Sequence, residues 1–200
     1  MRSDVEERSE RYLRDVISML EKAVQELPSK TRDIADVLTD ARHAGKNVYV
    51  MGNGGSASTA SHMASDLNKG ANREDAPRFK AVALTDNVPL MMAWANDSSY
   101  DDVFVEQLRN HLEEGDVVIG FSGSGNSTNV LKAVEYANRA GAVTIGITGF
   151  DGGKLARIAK ISYIVPSDCM QQVEDAHLVI EHMLSVILRD SPECARKKER

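Results

Sequence analysis

Leu13, Val16, Leu20, Val24 and Leu27 recur every three or four positions with charged residues between them, which is the period of one helix face. The pattern predicts a long amphipathic helix ending at Pro28, because proline lacks the N–H and clashes inside a helix. Ile34, Val37, Leu38 and Ala41 predict a second helix, closed by Gly45, whose missing Cβ suits a left-handed cap. Beyond Gly45 the period changes. Short runs rich in β-branched residues at 48–51, 81–84, 117–121, 143–147 and 161–165 alternate with helical patterns, and the first, third and fourth are nearly continuous in apolar residues. Such runs fit a parallel sheet buried on both faces. The chain therefore predicts an α/β fold: a three-layer α/β/α sandwich on a five-stranded parallel sheet with right-handed crossovers. Its expected organisation is an N-terminal helical arm over 1–45, the α/β domain over 46–190 and a charged tail over 191–200. A last helix, from about Met170 to Arg189, packs through Val173, Ala176, Ile180, Leu184 and Ile187 and presents Glu174, His177, Glu181 and His182 on its other side.

In open parallel sheets ligands bind beyond the carboxyl ends of the strands, and two glycine- and serine-rich segments fall there. Gly52-Asn53-Gly54-Gly55-Ser56 follows the first strand, and Ser122-Gly123-Ser124-Gly125-Asn126-Ser127 follows the third, each leading into a helical pattern. Glycines let the backbone approach a ligand, helix N-termini offer unpaired N–H groups, and the serines add hydroxyls. Tight strand-to-helix turns favour the same residues, so the paired occurrence is what points to a small phosphorylated ligand. Neither loop carries the Gly-Lys-Ser/Thr of a Walker loop or the glycine spacing of a dinucleotide fingerprint, so no nucleotide cofactor is expected.

Composition narrows the classes. The net charge of −6 argues against a sequence-independent grip on nucleic acid, and positive charge concentrates only at Arg196-Lys197-Lys198-Glu199-Arg200. Cys169 and Cys194 make no disulfide framework and no zinc-ribbon spacing. With no signal-peptide pattern and no apolar run of membrane-spanning length, a cytoplasmic protein without membrane or nucleic-acid partners is expected.

Candidate chemistry sits on two helices. His62 and Asp66, four apart, share a face of the helix after the first loop. Glu174 and His182, eight apart, lie about 80° from each other round the last helix. Two histidines and two carboxylates suit acid/base work and equally a divalent metal, zinc being the usual partner of such donors. His177 is expected to be a helix-face hydrogen-bonding residue near the site.

The two loops, His62, Ala95-Asn96-Asp97, Thr148-Gly149-Phe150-Asp151-Gly152-Gly153 and Val173-Glu174-Asp175-Ala176-His177-Leu178-Val179-Ile180-Glu181-His182 together resemble the sugar isomerase (SIS) domain family, specifically its phosphoheptose isomerase branch. The resemblance runs from the helical arm to about Asp190 and implies a flavodoxin-like sheet. It further implies isomerisation of sedoheptulose 7-phosphate to D-glycero-D-manno-heptose 7-phosphate through an enediol, the first step of bacterial nucleotide-heptose biosynthesis. Asp66 matches the family's glutamate base and His182 its acid/base partner. Ser56, Ser122, Ser124 and Ser127 match phosphate ligands, on loops that include Gly54, Gly55 and Gly123, while Asn53 and Asp97 match residues lining the sugar. Some members hold zinc, one ion per subunit, at the positions of His62, Asp66, Glu174 and His182. Members are homotetramers whose sites combine neighbouring subunits.

Four positions depart from the family: Asp66 replaces a glutamate, Glu174 a glutamine, Gly123 a threonine and Gly70 an arginine, with Lys69 beside it. Whether Asp66 or Glu174 takes the carbon-bound proton is therefore left open by the residues. An isomerase of a shorter ketose phosphate and a non-catalytic sugar-phosphate-binding regulator are the competing readings. The polar quartet favours an enzyme, because a binder has no need of it.

Overall fold

The computed structural model describes residues 2–190; the expected tail over 191–200 and Cys194 lie outside them. In chain order the elements are α1 (Arg2–Ala23), α2 (Leu27–Ala44), β1 (Asn47–Met51), α3 (Gly55–Ser65), β2 (Lys80–Ala83), α4 (Val88–Asp97), α5 (Val105–His111), β3 (Val117–Ser122), α6 (Thr128–Arg139), β4 (Val143–Thr148), α7 (Leu155–Ile158), β5 (Ile161–Ile164) and α8 (Met170–Asp190). A π turn over Asp66–Gly70 continues α3, and a short 3-10 turn covers Tyr100–Asp102.

The two predicted helices are present, but the boundary between them falls earlier than predicted. α1 ends at Ala23, and Pro28 stands in the first turn of α2, where a missing N–H costs nothing and the fixed φ is already helical. Leu27, assigned by pattern to the first helix, opens the second. The packing face of α1 also differs from the predicted stripe: Met19 and Ala23 are buried, whereas Leu13 is 61% and Val24 69% exposed. The second helix ends as expected, with Gly45 in the left-handed region at φ 68°.

All five strands are parallel, in the order β2-β1-β3-β4-β5, with Val48 opposite both Ala81 and Val117. Successive side chains alternate between two cores. Val48, Val50, Ile119, Ile145 and Ile147 meet Ile34 and Leu38 of α2, Met63 of α3, and Ile180 and Leu184 of α8 on one face. Met51 and Val118 meet Leu108 of α5, Val130 and Val134 of α6, and Leu155 of α7 on the other. The three layers and five parallel strands are those expected. No helix among the described residues is long and apolar enough to cross a membrane.

The order reverses direction between β1 and β3, since β2 adds to one side of β1 and β3 to the other. A crevice opens at the carboxyl ends of those two strands because their crossover helices leave for opposite faces. At the opposite end, fully buried Asp116 accepts the backbone N–H of Asn47 at 2.8 Å and of Glu113 at 2.9 Å, tying the start of β1 to the turn before β3. Removing a charged acceptor from two backbone donors costs about 2–4 kcal/mol. Asp116→Ala is expected to lower the unfolding free energy by that amount in urea, with the ligand-facing end of the sheet unperturbed in amide chemical shifts.

Candidate active site

β1 runs into the first loop and α3 begins at Gly55, with Gly54 as its N-cap at φ 55° and ψ −124°, a conformation that side-chain-bearing residues rarely adopt. Ser56 follows in the first turn and is buried. β3 ends at Ser122, and α6 begins after Ser127. Neither helix has a side-chain cap: Gly54 offers none, and the Ser127 hydroxyl lies 3.1 Å from that of Ser122 instead of bonding the first turn of α6. Two helix N-termini with positive partial charge thus flank the crevice, with hydroxyls among them. The Ser124 Oγ accepts from the Asn126 N–H at 3.3 Å, which shapes the loop and leaves its hydroxyl proton to donate. The segment after β4 buttresses this loop, with the Gly149 N–H donating to Gly123 O and the Leu155 N–H to Gly125 O, both at 2.9 Å.

The loops are also locked to each other. Asn53 and buried Asn129 exchange side-chain amide hydrogen bonds, both 2.9 Å, and the Tyr100 hydroxyl donates to Asn53 Oδ1 at 2.9 Å. Asn129 and Tyr100 are partners of the candidate site that the sequence pattern did not reveal, because a single Asn or Tyr carries no periodic or spacing signal. Asp97, expected to line the substrate, is exposed at the end of α4, where it accepts from the Asn96 amide at 2.7 Å; Tyr100, three residues on, is the one that reaches the loop.

Further along α3 the acid/base residues converge. His62 Nε2 lies 3.4 Å from His182 Nε2 and 3.9 Å from Asp66 Oδ1, and the two imidazoles meet edge-on with centroids 4.8 Å apart. Asp66 opens the π turn, a feature frequent at functional sites. Glu181 joins them, its Oε2 3.4 Å from His182 Nε2, and donor atoms of His62, Asp66, Glu181 and His182 all lie within 4.8 Å of one another. Burial and the facing Asp66 carboxylate push the Glu181 carboxyl up to about 8.

Glu174, expected to complete this group, is not part of it. Its carboxylate packs on Gly55 at the start of α3, so closely that a Cβ there would fall 2.3 Å from Glu174 Oε2. The angle of about 80° that favoured Glu174 leaves out the axial rise: eight residues separate Glu174 from His182 by about 12 Å along α8, whereas adjacent Glu181 is about 1.5 Å away. The sequence pattern had placed Glu181 on the polar side of the last helix but assigned it nothing.

The SIS domain profile matches residues 11–149. The chain belongs to the SIS domain family. Phosphoheptose isomerase of Rhodospirillum rubrum is 39% identical over 159 residues, spanning 80% of this chain and 84% of that protein. Phosphoheptose isomerase of Geotalea daltonii is 38% identical over 170 residues, spanning 85% and 88%. The structure of phosphoheptose isomerase from Neisseria gonorrhoeae superposes with a TM-score of 0.86 at 30% identity, covering 92% of this chain and 98% of that one. The phosphoheptose isomerase branch is thus the one this SIS domain resembles throughout, and the kinship bears out the expected class, a sugar-phosphate isomerase.

His177, expected as a helix-face hydrogen-bonding residue near the site, is packed into the core. It is fully buried against Phe121, with ring centroids 5.4 Å apart, and burial lowers its pKa to about 4 from the ordinary 6.5. The folded SIS domain therefore binds fewer protons than the unfolded chain between those values. Stability from the neutral ring is present above pH 6.5 and is lost as pH falls toward 4, by on the order of 3 kcal/mol. Urea unfolding between pH 4 and 7 is expected to show this slope, and His177→Leu to flatten it.

Proposed function

We propose that this chain interconverts sedoheptulose 7-phosphate and D-glycero-D-manno-heptose 7-phosphate by proton transfer through an enediol. The observation that carries the proposal is the spacing of two chemistries along α3. Its uncapped N-terminus holds Ser56, and six residues on, roughly 9 Å along the axis, His62 enters the acid/base cluster. An extended chain advances about 1.2 Å per bond, so the eight bonds from phosphorus to C1 of a heptulose phosphate span about 10 Å. A phosphate at the loops puts C1 and C2 at the cluster.

In this assignment Ser56, Ser122, Ser124 and Ser127 hold the phosphate together with the backbone of Gly54, Gly55 and Gly123. Asn53, fixed by Asn129 and Tyr100, orients the sugar hydroxyls, and Asp97 serves the outer rim of the site. Asp66 takes the proton from one carbon of the C1–C2 pair and returns it to the other. His182 exchanges protons with the two oxygens, a task suited to a group that titrates near neutrality. Glu174, at the phosphate end, positions the chain and is not the base. His62, Asp66 and His182 could hold a divalent ion, and the donor cluster they share with buried Glu181 fits one. When bound, such an ion polarises the sugar carbonyl as a Lewis acid.

Incubation with sedoheptulose 7-phosphate in D2O is expected to yield the aldose with deuterium at the former ketose carbon. Asp66→Asn and His182→Gln are each expected to lower kcat by about 10²–10⁴-fold, while Glu174→Gln raises KM more than it lowers kcat. No turnover with or without added zinc would leave a binding protein. Faster turnover of a five-carbon ketose phosphate would reassign the substrate.

We infer that the protein is a homotetramer packed through its N-terminal arm. Leu13, Ile17 and Val24 are 61%, 56% and 69% exposed on α1, more apolar surface than a solvated helix face carries. Light scattering is expected to give four chains per particle, and Leu13→Glu with Ile17→Glu to split it.

A further inference from the structure

We propose that Tyr100 is a specificity-determining residue: its phenolic oxygen accepts a hydrogen bond from a hydroxyl of the bound sugar, beside an Asn53 amide that can only donate. This assignment deepens the reading of the crevice as a sugar-phosphate site and rests on it. The test reads ligand binding, so a chain that isomerises nothing would still show it.

The direction of every bond in the cluster follows from one group that cannot reverse. The backbone N–H of Val130 only donates, and it meets Asn129 Oδ1 at 2.9 Å, which fixes the end of the Asn129 amide that is oxygen. That oxygen also accepts from Asn53 Nδ2, while Asn129 Nδ2 donates to Asn53 Oδ1, both at 2.9 Å. Asn53 Oδ1 takes a second donor, the Tyr100 hydroxyl, at 2.9 Å. An amide oxygen has two lone pairs, so Asn53 Oδ1 has no capacity left. Among the described residues nothing takes the second N–H of Asn53 Nδ2. Asn53 therefore offers a ligand one donor, and Tyr100 offers the lone pairs of an oxygen whose proton is already engaged.

Both groups stand where a ligand can meet them. Asn53 is half-buried in the first loop, and Tyr100 beside it is 52% exposed. Exposure does not leave the phenol loose. Its turn is braced: Asp102 accepts from Lys132 Nζ at 3.0 Å and from the Ser98 hydroxyl at 2.9 Å, and Ser99 Oγ accepts the Asp101 N–H at 3.1 Å. Lys132 and Asn129 both belong to α6, so the phenol and the amide pair are held by one rigid element. No residue of the turn is buried, so packing alone does not account for the bracing. A fixed acceptor at the mouth of a crevice loses little freedom when it binds.

The pair discriminates by chemistry. A phosphate dianion has no proton to give, so it cannot be the donor that Tyr100 is open to. Selection falls on the polyol chain. Planar amide geometry places the Tyr100 oxygen and Asn53 Nδ2 about 5 Å apart on opposite sides of the Asn53 side chain. One hydroxyl of a polyol can donate to the first while another accepts from the second, whereas an alkyl chain can do neither.

Calorimetric titration of the full chain with D-glucitol 6-phosphate, a polyol phosphate without a carbonyl, and with butyl phosphate, which has no hydroxyl, separates the two parts of recognition. The native chain is expected to bind the polyol phosphate at least about tenfold more tightly. Tyr100→Phe keeps the ring on its exposed turn and is expected to weaken the polyol phosphate about tenfold while moving butyl phosphate by less than about twofold. A loss of similar size is expected when Tyr100→Phe is added to Asn53→Ala, because contact with the sugar does not pass through Asn53. Four results would each overturn the assignment: equal weakening of both phosphates, weakening of neither, no preference in the native chain, or a loss that vanishes on the Asn53→Ala background. Absence of turnover with sedoheptulose 7-phosphate would count against the isomerase reading alone.

Discussion

The pairing of β1 directly with β3 is the constraint from which the site follows. With β2 on the outer side of β1, the crossover that leaves β1 packs α3 on one face of the sheet, while the crossover that leaves β3 packs α6 on the other. The two helices start side by side and diverge, so their N-termini cannot cover each other and both face the crevice between the strands. α8 then lies against α3 on the same face and runs in the same sense along it, with Glu174 beside Gly55 and His182 beside His62. Sheet order alone thus separates the glycine- and serine-rich loops from the histidine–carboxylate cluster and sets the distance between them by the rise of α3.

That arrangement explains how a chain of net charge −6 can be fitted to an anion. The loops contain no lysine or arginine, and Lys69, the basic residue nearest in sequence, is exposed at the far end of the π turn. Attraction must come from short-range sources: N–H groups of two helix starts, serine hydroxyls, and loop amides fixed by the Asn53–Asn129 pair. Such dipoles act over the first turn of a helix and require a dry, rigid setting. The rigid amide exchange and the buttressing of the second loop by the segment after β4 are therefore as much a part of recognition as the groups that would touch the ligand.

The sheet and the two loops were legible because they depend on local signals: continuous apolar runs mark buried parallel strands, and clustered glycine and serine mark strand-to-helix turns. Three features were not. The end of α1 was placed too late because a three-residue turn left the apolar spacing almost intact, and Pro28 reads equally as the end of one helix or the start of the next. Glu174 was preferred to Glu181 because a helical wheel records angle and discards rise. The partners of Asn53 were invisible because Asn129 lies 76 positions away and Tyr100 lies 47 away, contacts that only the folded chain creates. The fold is thus read from periodicity, whereas the site depends on axial position and on long-range pairs.

The departures from the family pattern make sense as local exchanges of volume and charge. At Gly123, where a threonine is usual, a Cβ would fall 2.4 Å from Met170 Sδ, so the space of the missing side chain is held by the first residue of α8. At Gly70, where an arginine is usual, a Cβ would lie 3.2 Å from Ser185 Oγ and 3.5 Å from Asp66 Cγ, so the glycine leaves the shorter Asp66 close to α8. Asp66 itself reaches one methylene less than a glutamate, and Glu181 brings a second carboxylate into the same cluster from the opposite helix. At all three positions the facing side chain, Met170, Ser185 or Glu181, comes from α8, so these differences from the family pattern meet at the packing of α8 against α3 and the second loop.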